Sequence, residues 1–593
     1  MRRLAVAALC ALVLAPAALA AEAPTGPIYD GQGRLVQTPF APPPPRPHLV
    51  AGQATQVFFA YAKVHDWLAR YPRSRRVWQT EYDAKAHAWK VSVWSGKAGE
   101  IATGRVDDPT ASVTEAWTGP QVAWKMARGY KGAFGGSRIN SYPVWLGFCA
   151  VFLLGLADWR RPFSLRNLDL LVFLSFSVSL WFFNHGDIFT SAPLAYPPLV
   201  YLLGRCLWAG LRGRATSGRP IWPAWVLLGA TVFLMGFRIG LNAEASNVID
   251  VGFSGVVGAQ RIVHGQAPYG HMPVEDKLKA CGPADSDGEI RDRIQTNGRC
   301  ESANPFGDTY GPVAYEAYLP GYAIKGWSGK WDDLPAAHVT SGLFDVLAVV
   351  GLFLVGWRFG GMPLGSTLAF AWAAYPFTQY ASSSNTNDLI PPAILIWGFY
   401  VSSAAWSRGA LAALSGWTKF ASLLLLPLWA TYPERRLRPT LAAAAGALAA
   451  TLAAFSVLLL EPNVLHAAHV FFDRTIRWQV GRDSPFSLWD WGQYHARGIP
   501  DFRIVQRVLE VLLVAGALAA GLWPRRKSPL QLAALTGALL VGFELVLTHW
   551  FYLYLPWFFP FAAFALLAPI TAELPETAPV TDGRSVGELV AAG

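Results

Sequence analysis

Apolar runs of about 17–22 residues recur along most of this chain, and they constrain its fold more than any other feature. Wound as a helix, a run of that length crosses the roughly 30 Å hydrocarbon core of a bilayer. Within that core only helices and closed barrels satisfy their own backbone hydrogen bonds. The approximate limits are 142–157, 168–183, 190–211, 221–241, 336–357, 364–383, 388–405, 439–460, 504–523, 528–548 and 551–569. The stretch 409–431 is also apolar, but Gly416, Thr418 and Lys419 interrupt it. Only 15% of the residues are charged, against roughly a quarter in soluble domains. The expected fold is an all-α polytopic membrane protein with about eleven transmembrane helices, carrying a small α+β domain near its N-terminus.

Charge sets the orientation. The net charge of +10 falls in short clusters between apolar runs and not in one patch, so no nucleic-acid partner is expected. Taking residue 21 as outside, the inside loops hold Arg160, Arg161 and Arg166, then Arg212, Arg214 and Arg219, then Arg358, and finally Arg525, Arg526 and Lys527. The outside loops at 184–189 and 384–388 hold no Lys or Arg. This alternation follows the positive-inside rule. Arg408 and the cluster Arg435, Arg436 and Arg438 both belong inside, so 409–431 reads as a re-entrant pair of half-helices hinged near Gly416. The expected location is the bacterial plasma (inner) membrane, with the tail 570–593 disordered and cytoplasmic. Two long loops, 242–335 and 461–503, then lie outside.

The N-terminus reads as a signal peptide over 1–20. Arg2 and Arg3 precede the apolar Leu4 to Leu14, and Ala18-Leu19-Ala20 supplies the cleavage site. The alternative is an uncleaved first helix. Residues 21–49 form a Pro-rich linker, with Pro42 to Pro45 in a row. An extracytoplasmic domain follows over 50–140. Ala54 to Arg70 has helical periodicity, with Val57, Phe58, Tyr61, Val64 and Leu68 on one face. Val77 to Tyr82 and Trp89 to Trp94 alternate as strands, and Gly99 to Val106 adds a third. This helix-then-meander order resembles a PepSY-type domain. Cys281 and Cys300 share one polar loop, and on the outer side they make a candidate disulfide. Asp285, Asp287 and Glu289 between them read as a solvated face. No metal-ligand cluster and no phosphate-cradling loop is seen, so neither a metal nor another cofactor is expected.

The first long loop opens with Asn247 to Ser254, in which Asp250 lies close after the run 221–241 and so at the outer membrane surface. Val251, Val256, Val257 and Ile262 form an apolar stripe that reads as an interfacial helix. His264 to Gly270, including Pro268-Tyr269, makes a turn, and Tyr310-Gly311-Pro312 follows further on. Asn385 to Asp388 stands at a helix start, Trp417-Thr418-Lys419 lies in the broken helix, and Gly481 to Trp489 in the second long loop. In this order the motifs, over about 221–569, resemble the GT-C superfamily of integral-membrane glycosyltransferases. They look most like glycosyltransferase family 87, the polyprenyl-phosphate-mannose-dependent type. The additional helices over 141–220 and the N-terminal domain lie outside that resemblance.

The resemblance implies transfer of mannose or a related sugar from a polyprenyl-phosphate donor to a lipid or glycan acceptor of the cell envelope, with inversion. The implied partners are that donor, the acceptor and membrane lipids. A carboxylate must deprotonate the acceptor hydroxyl, and cationic or hydrogen-bonding groups must receive the leaving phosphate. Asp250 stands in the position for the base; the alternative is a helix cap. Arg482, then Arg477 and Arg474, are the candidates for phosphate, or alternatively anchors for lipid headgroups. Tyr269, Tyr310, Asn387, Asp388, His549 and Tyr552 are the candidate substrate contacts, with an interfacial aromatic belt as the alternative for the last two. Lys419 is expected to snorkel to the cytoplasmic face unless it faces a cavity. Asp345 and Glu544 are intramembrane carboxylates open to a packing role or, in a secondary transporter or flippase, to an ion path.

Overall fold

The computed structural model describes residues 28–29, 31–32, 34–37, 47–129, 138–213, 221–272, 292–294, 300–302, 307–330 and 333–568. The signal peptide, most of the Pro-rich linker, Cys281 with its expected link to Cys300, the acidic residues 285–289 and the tail 570–593 lie outside the described residues. The chain divides after Thr118 into two compact units.

The first unit holds two helices, α1 (Ala51–Ala60) and α2 (Ala62–Leu68), and an antiparallel sheet of β1 (Arg76–Asp83), β2 (Ala88–Ser95), β3 (Glu100–Asp107) and β4 (Ser112–Thr118). Each strand pairs with the next in sequence. The single helix expected over 54–70 is two. Tyr61 takes an extended backbone (φ −63°, ψ 123°) and points outward, 44% exposed. That break turns Val64, Trp67 and Leu68 onto the sheet, where with Phe58 they cover Val91, Val93, Ala102 and Val106. The chain before α1 is clasped by Asp108. Its carboxylate accepts the backbone N–H groups of His48 (2.7 Å) and Leu49 (2.9 Å) and the Trp89 indole N–H (2.8 Å).

The second unit is helical. Its principal helices are α3 (Tyr142–Leu156), α4 (Leu165–Asn184), α5 (Ile188–Arg212), α6 (Ala224–Ala245), α7 (Asp250–Val263), α8 (Pro335–Ala374), α9 (Pro376–Ser383), α10 (Ile390–Tyr400), α11 (Ala405–Gly416), α12 (Leu437–Phe455), α13 (Val464–Phe472), α14 (Arg503–Leu522), α15 (Pro529–Val546) and α16 (Leu555–Leu567). Among the described residues six helical stretches are long and apolar enough to cross a membrane: Leu165–Asn184, Ala224–Ala245, Pro335–Ala374, Leu437–Leu460, Arg503–Leu522 and Pro529–Val546. The chain is thus a mostly helical protein of membrane type with a small N-terminal sheet. Exposed Phe233 on α6, Leu452 on α12 and Val511 on α14 give these helices outward faces suited to hydrocarbon.

Several boundaries differ from the apolar runs, each for a local reason. Helix α8 is two helices meeting at Gly361 (φ 70°), two residues before Pro363. The run 364–383 breaks again at Tyr375, which is extended because a proline follows it. The run 388–405 is helical only over Ile390–Tyr400, after a 3-10 turn Asn387–Leu389. The stretch 409–431 is broken as expected, but the helix runs through Gly416 and gives way over Trp417 to Lys419. Helix α7 buries every residue from Gly252 to Ala259, more than the one apolar stripe of an interfacial helix.

Ion pairs join helices inside the bundle. Arg238 of α6 grips Asp345 of α8 through two contacts (2.8 and 3.0 Å), and the Trp372 indole donates to the same carboxylate. Arg205 of α5 grips Asp169 of α4 in the same two-pronged way, at 2.8 Å for each contact. Asp345 is therefore engaged in helix packing.

The Asp108 clasp gives the first unit a pH dependence. Burial raises this carboxyl, but the backbone N–H groups of Leu49 and His48 and the Trp89 indole outweigh it and hold it down to about 2, from 3.8. A depressed folded value means stability that is present above 3.8 and lost as pH falls toward 2. Limited proteolysis of the full-length protein should show the chain near His48 becoming cleavable in that window. Asp108→Asn should make it cleavable at neutral pH and abolish the acid dependence.

Candidate functional site

The site begins at a turn that no glycine supplies. Asn385 adopts the left-handed backbone (φ 53°), which asparagine tolerates better than most residues. Its side chain donates to Ser246 Oγ (2.8 Å) and the Asn247 carbonyl (2.7 Å), and it accepts from Asn242 at the end of α6 (2.9 Å). Its carbonyl accepts the Tyr318 hydroxyl (3.2 Å). Gly252 of α7 packs so close that a Cβ there would stand 2.3 Å from the Asn385 oxygen. These contacts bring the first turn of α7 against the segment 385–388. Asp250 is the first residue of that helix, half-buried, and Ile249 holds the cap position. One carboxylate oxygen of Asp250 accepts the Val251 N–H (2.9 Å). The helix N-terminus favours its negative charge.

Across this turn lies a buried ion pair. Lys419, expected to snorkel, does not. Its ammonium donates to Asp388 at 2.5 Å, with the two side chains 8% and 1% exposed. An ammonium within an apolar bundle needs a counter-charge, and the extended backbone at Lys419 (φ −143°, ψ 127°) aims it at one. Asp388 is itself set by Thr386, whose hydroxyl donates to the carboxylate (2.6 Å) and accepts the Asp388 N–H (3.2 Å). The rings of Tyr554, Trp557 and Tyr310 surround the ammonium at 4.9, 5.1 and 5.3 Å. Tyr310 reaches it because Gly311 follows. A Cβ on Gly311 would stand 1.9 Å from the Trp417 carbonyl, so only glycine lets this loop lie on the broken helix.

Asp250 and Arg482 both lie within electrostatic reach of Lys419 and of Tyr310. Burial raises the Tyr310 phenol above its ordinary value, Asp250 and then Asp388 raise it further, and Arg482 opposes them. Arg482 is half-buried and, among the described residues, makes no ion pair. His549 stands in the turn between α15 and the last helix, with Nδ1 3.0 Å from Ser484 Oγ. Burial, then the cations Arg482 and Lys419, push its imidazole well below the ordinary range, so it is neutral near pH 7.

Asp250, Tyr310, Asp388, Lys419, Arg482 and His549 thus form one electrostatically coupled group. The other expected residues sit around it. Asn387 is 2% exposed, and among the described residues its side-chain oxygen has no hydrogen-bond partner. Tyr269 donates to the Tyr310 carbonyl (3.0 Å) and so supports that loop. Arg474 is engaged with Asp308 (2.9 Å), which also accepts the Gly270 N–H (2.7 Å). Arg477 is 78% exposed beside Asp473. Tyr552 spends its hydroxyl on Ser179 (2.7 Å) and Ser191 (2.8 Å). Lys419 as a site residue was missed, as were Tyr554 and Trp557. A cation inside an apolar segment was the visible signal for the first; the aromatics carried none against a background of 13% aromatic residues. No family model, no curated protein and no solved structure matches the chain.

The pair at the centre is testable by itself. Asp388→Asn strands a buried ammonium and should cost about 3–5 kcal/mol of stability. Adding Lys419→Met to it should recover most of the loss. Unfolding followed by tryptophan fluorescence in detergent measures both; equal losses for the single and double variants would show the two charges uncoupled.

Proposed function

We propose that the chain is an extracytoplasmic glycosyltransferase that moves mannose or a related sugar from a polyprenyl-phosphate donor to a cell-envelope lipid or glycan acceptor. The observation that carries this reading is the juxtaposition of a half-buried carboxylate, Asp250, with two cations, Lys419 and Arg482, in one cluster of the helical unit. The ordered motifs that resemble glycosyltransferase family 87 supply the reaction class. In this reading about eleven spans cross the membrane, and the site and N-terminal unit face outward.

The acceptor hydroxyl oxygen attacks the anomeric carbon, and its proton passes to the Asp250 carboxylate. The bond from the anomeric carbon to the phosphate oxygen breaks, and the phosphate leaves with the electron pair. Attack opposite the leaving group inverts the configuration. Arg482 and Lys419 neutralise the charge that grows on the leaving oxygen, and neutral His549 donates a hydrogen bond to it. Exclusion of water by Tyr310, Tyr554 and Trp557 strengthens each of these interactions. A cleft of about 640 Å³, walled by apolar residues of α5, α14 and α15 such as Leu203, Leu512 and Leu539, offers a place for the hydrocarbon of a lipid substrate.

A second reading, a secondary transporter or flippase, draws on the broken helix at Lys419 and on Glu544. The Glu544 carboxyl is buried and accepts the Trp550 indole N–H through one oxygen, and among the described residues the other oxygen has no partner. Proton- or sodium-coupled uptake into liposomes that vanishes with Glu544→Gln would favour it.

Purified protein in nanodiscs, given labelled polyprenyl-phosphate-mannose and membrane acceptors, tests the transferase. Asp250→Asn should lower kcat by about 10²–10⁴-fold with little change in donor KM. Arg482→Ala should instead raise donor KM. Transfer at the wild-type rate by Asp250→Asn would remove Asp250 as the base.

A further inference from the structure

The chain that leaves the first unit at Thr118 does not run free to the first long helix. Residues 119–129 belong to the second unit and are pinned there. Pro120–Ala123 is one helical turn, and Lys125–Arg128 is a 3-10 turn. Gln121 donates to the Gly186 carbonyl at 2.9 Å, in the turn joining α4 to α5. Arg128 folds back onto the carbonyls of Gln121 (2.8 Å) and Val122 (3.3 Å). Gly129 lies against Gly186 so closely that a Cβ on it would stand 2.8 Å from the Gly186 nitrogen. Ala127 is fully buried.

Between these anchors Trp124 is directed at the site. Its ring centroid lies 5.5 Å from that of Phe486 and 5.9 Å from that of His549, and the Arg482 guanidinium carbon is 5.8 Å from it. One side chain therefore lies against two of the three groups assigned to the donor phosphate, Arg482 and His549, which come from different loops. An indole face against a guanidinium leaves the in-plane N–H groups free for an anion. The same ring helps keep water from His549. Ser484 Oγ accepts the Phe486 N–H (3.3 Å) and lies 3.0 Å from His549 Nδ1, so this hydroxyl occupies one ring nitrogen and leaves Nε2 to face a ligand.

We propose that Trp124 is a positioning residue of this site, holding Arg482 and His549 so that both donate to the phosphate of a lipid-linked substrate. The inference rests on reading the cluster as a donor-phosphate site. It makes the connector, which lies outside the family-like region, a working part of that site.

Undecaprenyl phosphate, which carries the phosphate and the lipid but no sugar, is the probe. Its affinity is measured on the full-length protein in nanodiscs, together with donor and acceptor KM and the thermal unfolding midpoint. Trp124→Leu keeps a smaller apolar side chain without a π face and should weaken probe binding about tenfold. Donor KM should rise in step, while acceptor KM and the unfolding midpoint stay near wild type. Trp124→Phe should restore most of the affinity. Wild-type binding that Trp124→Leu leaves unchanged overturns the proposal. So does equal weakening by Leu and Phe together with a lowered unfolding midpoint, which marks a structural residue. A wild-type protein that does not bind the probe overturns the donor-phosphate reading itself, and the inference falls with it.

Discussion

A lysine ammonium and an aspartate carboxylate meet inside an apolar helical bundle, and much of the local architecture follows from the need to bring them together. Each charge alone would be prohibitively costly at that depth. The Asp388–Lys419 contact makes both tolerable only at short range and in one geometry. The helix carrying Lys419 therefore stops after Gly416 and releases an extended residue. The 3-10 turn at Asn387–Leu389 presents the carboxylate, and Thr386 fixes it. The aromatic rings, the Gly311 contact and the Asn385 turn are arranged about that pair. Asp250 and Arg482 are neighbours of the cluster because their loops pack on these same elements.

The rest of the bundle uses the same device with less at stake. Apolar helices in hydrocarbon gain little from burying apolar surface against each other, so polar contacts acquire the task of choosing partners. Arg238 with Asp345 ties α6 to α8, and Arg205 with Asp169 ties α4 to α5. Two-pronged guanidinium contacts also fix rotation and depth. A slip of one residue along either helix would separate the partners.

Much of this was legible in the residues, and what was not has a common cause. Apolar length located the helices, and alternation located β1 and β2. Loop charge and local motifs pointed to Asp250, Asp388 and Arg482. Strand β4 escaped notice because Ser112–Thr118 is a half-exposed edge strand with a weak apolar alternation. The break at Tyr61 depends on the sheet beneath it. Arg238 passed unremarked inside an apolar run, since its partner stands 107 residues away. Lys419 was misplaced for the same reason. A lone cation in an apolar segment announces that it must find a partner or an exit, and the choice is made by a residue elsewhere in the chain.

The hydroxyl of Tyr552 touches Ser179 and Ser191, on the two helices that flank the turn at 184–187. Three residues earlier in the same stretch stands His549. Gly210 of α5 also packs on Leu535 of α15, and Gln531 donates to the Gly210 carbonyl (3.0 Å). Helices α4 and α5, absent from the family-like pattern, are thus built into the support of the last hairpin. They cannot be read as a module appended to a self-sufficient core. A chain trimmed back to residue 221 would lose the wall on which His549 is set, so the smallest working unit of this protein is larger than its recognisable motifs suggest.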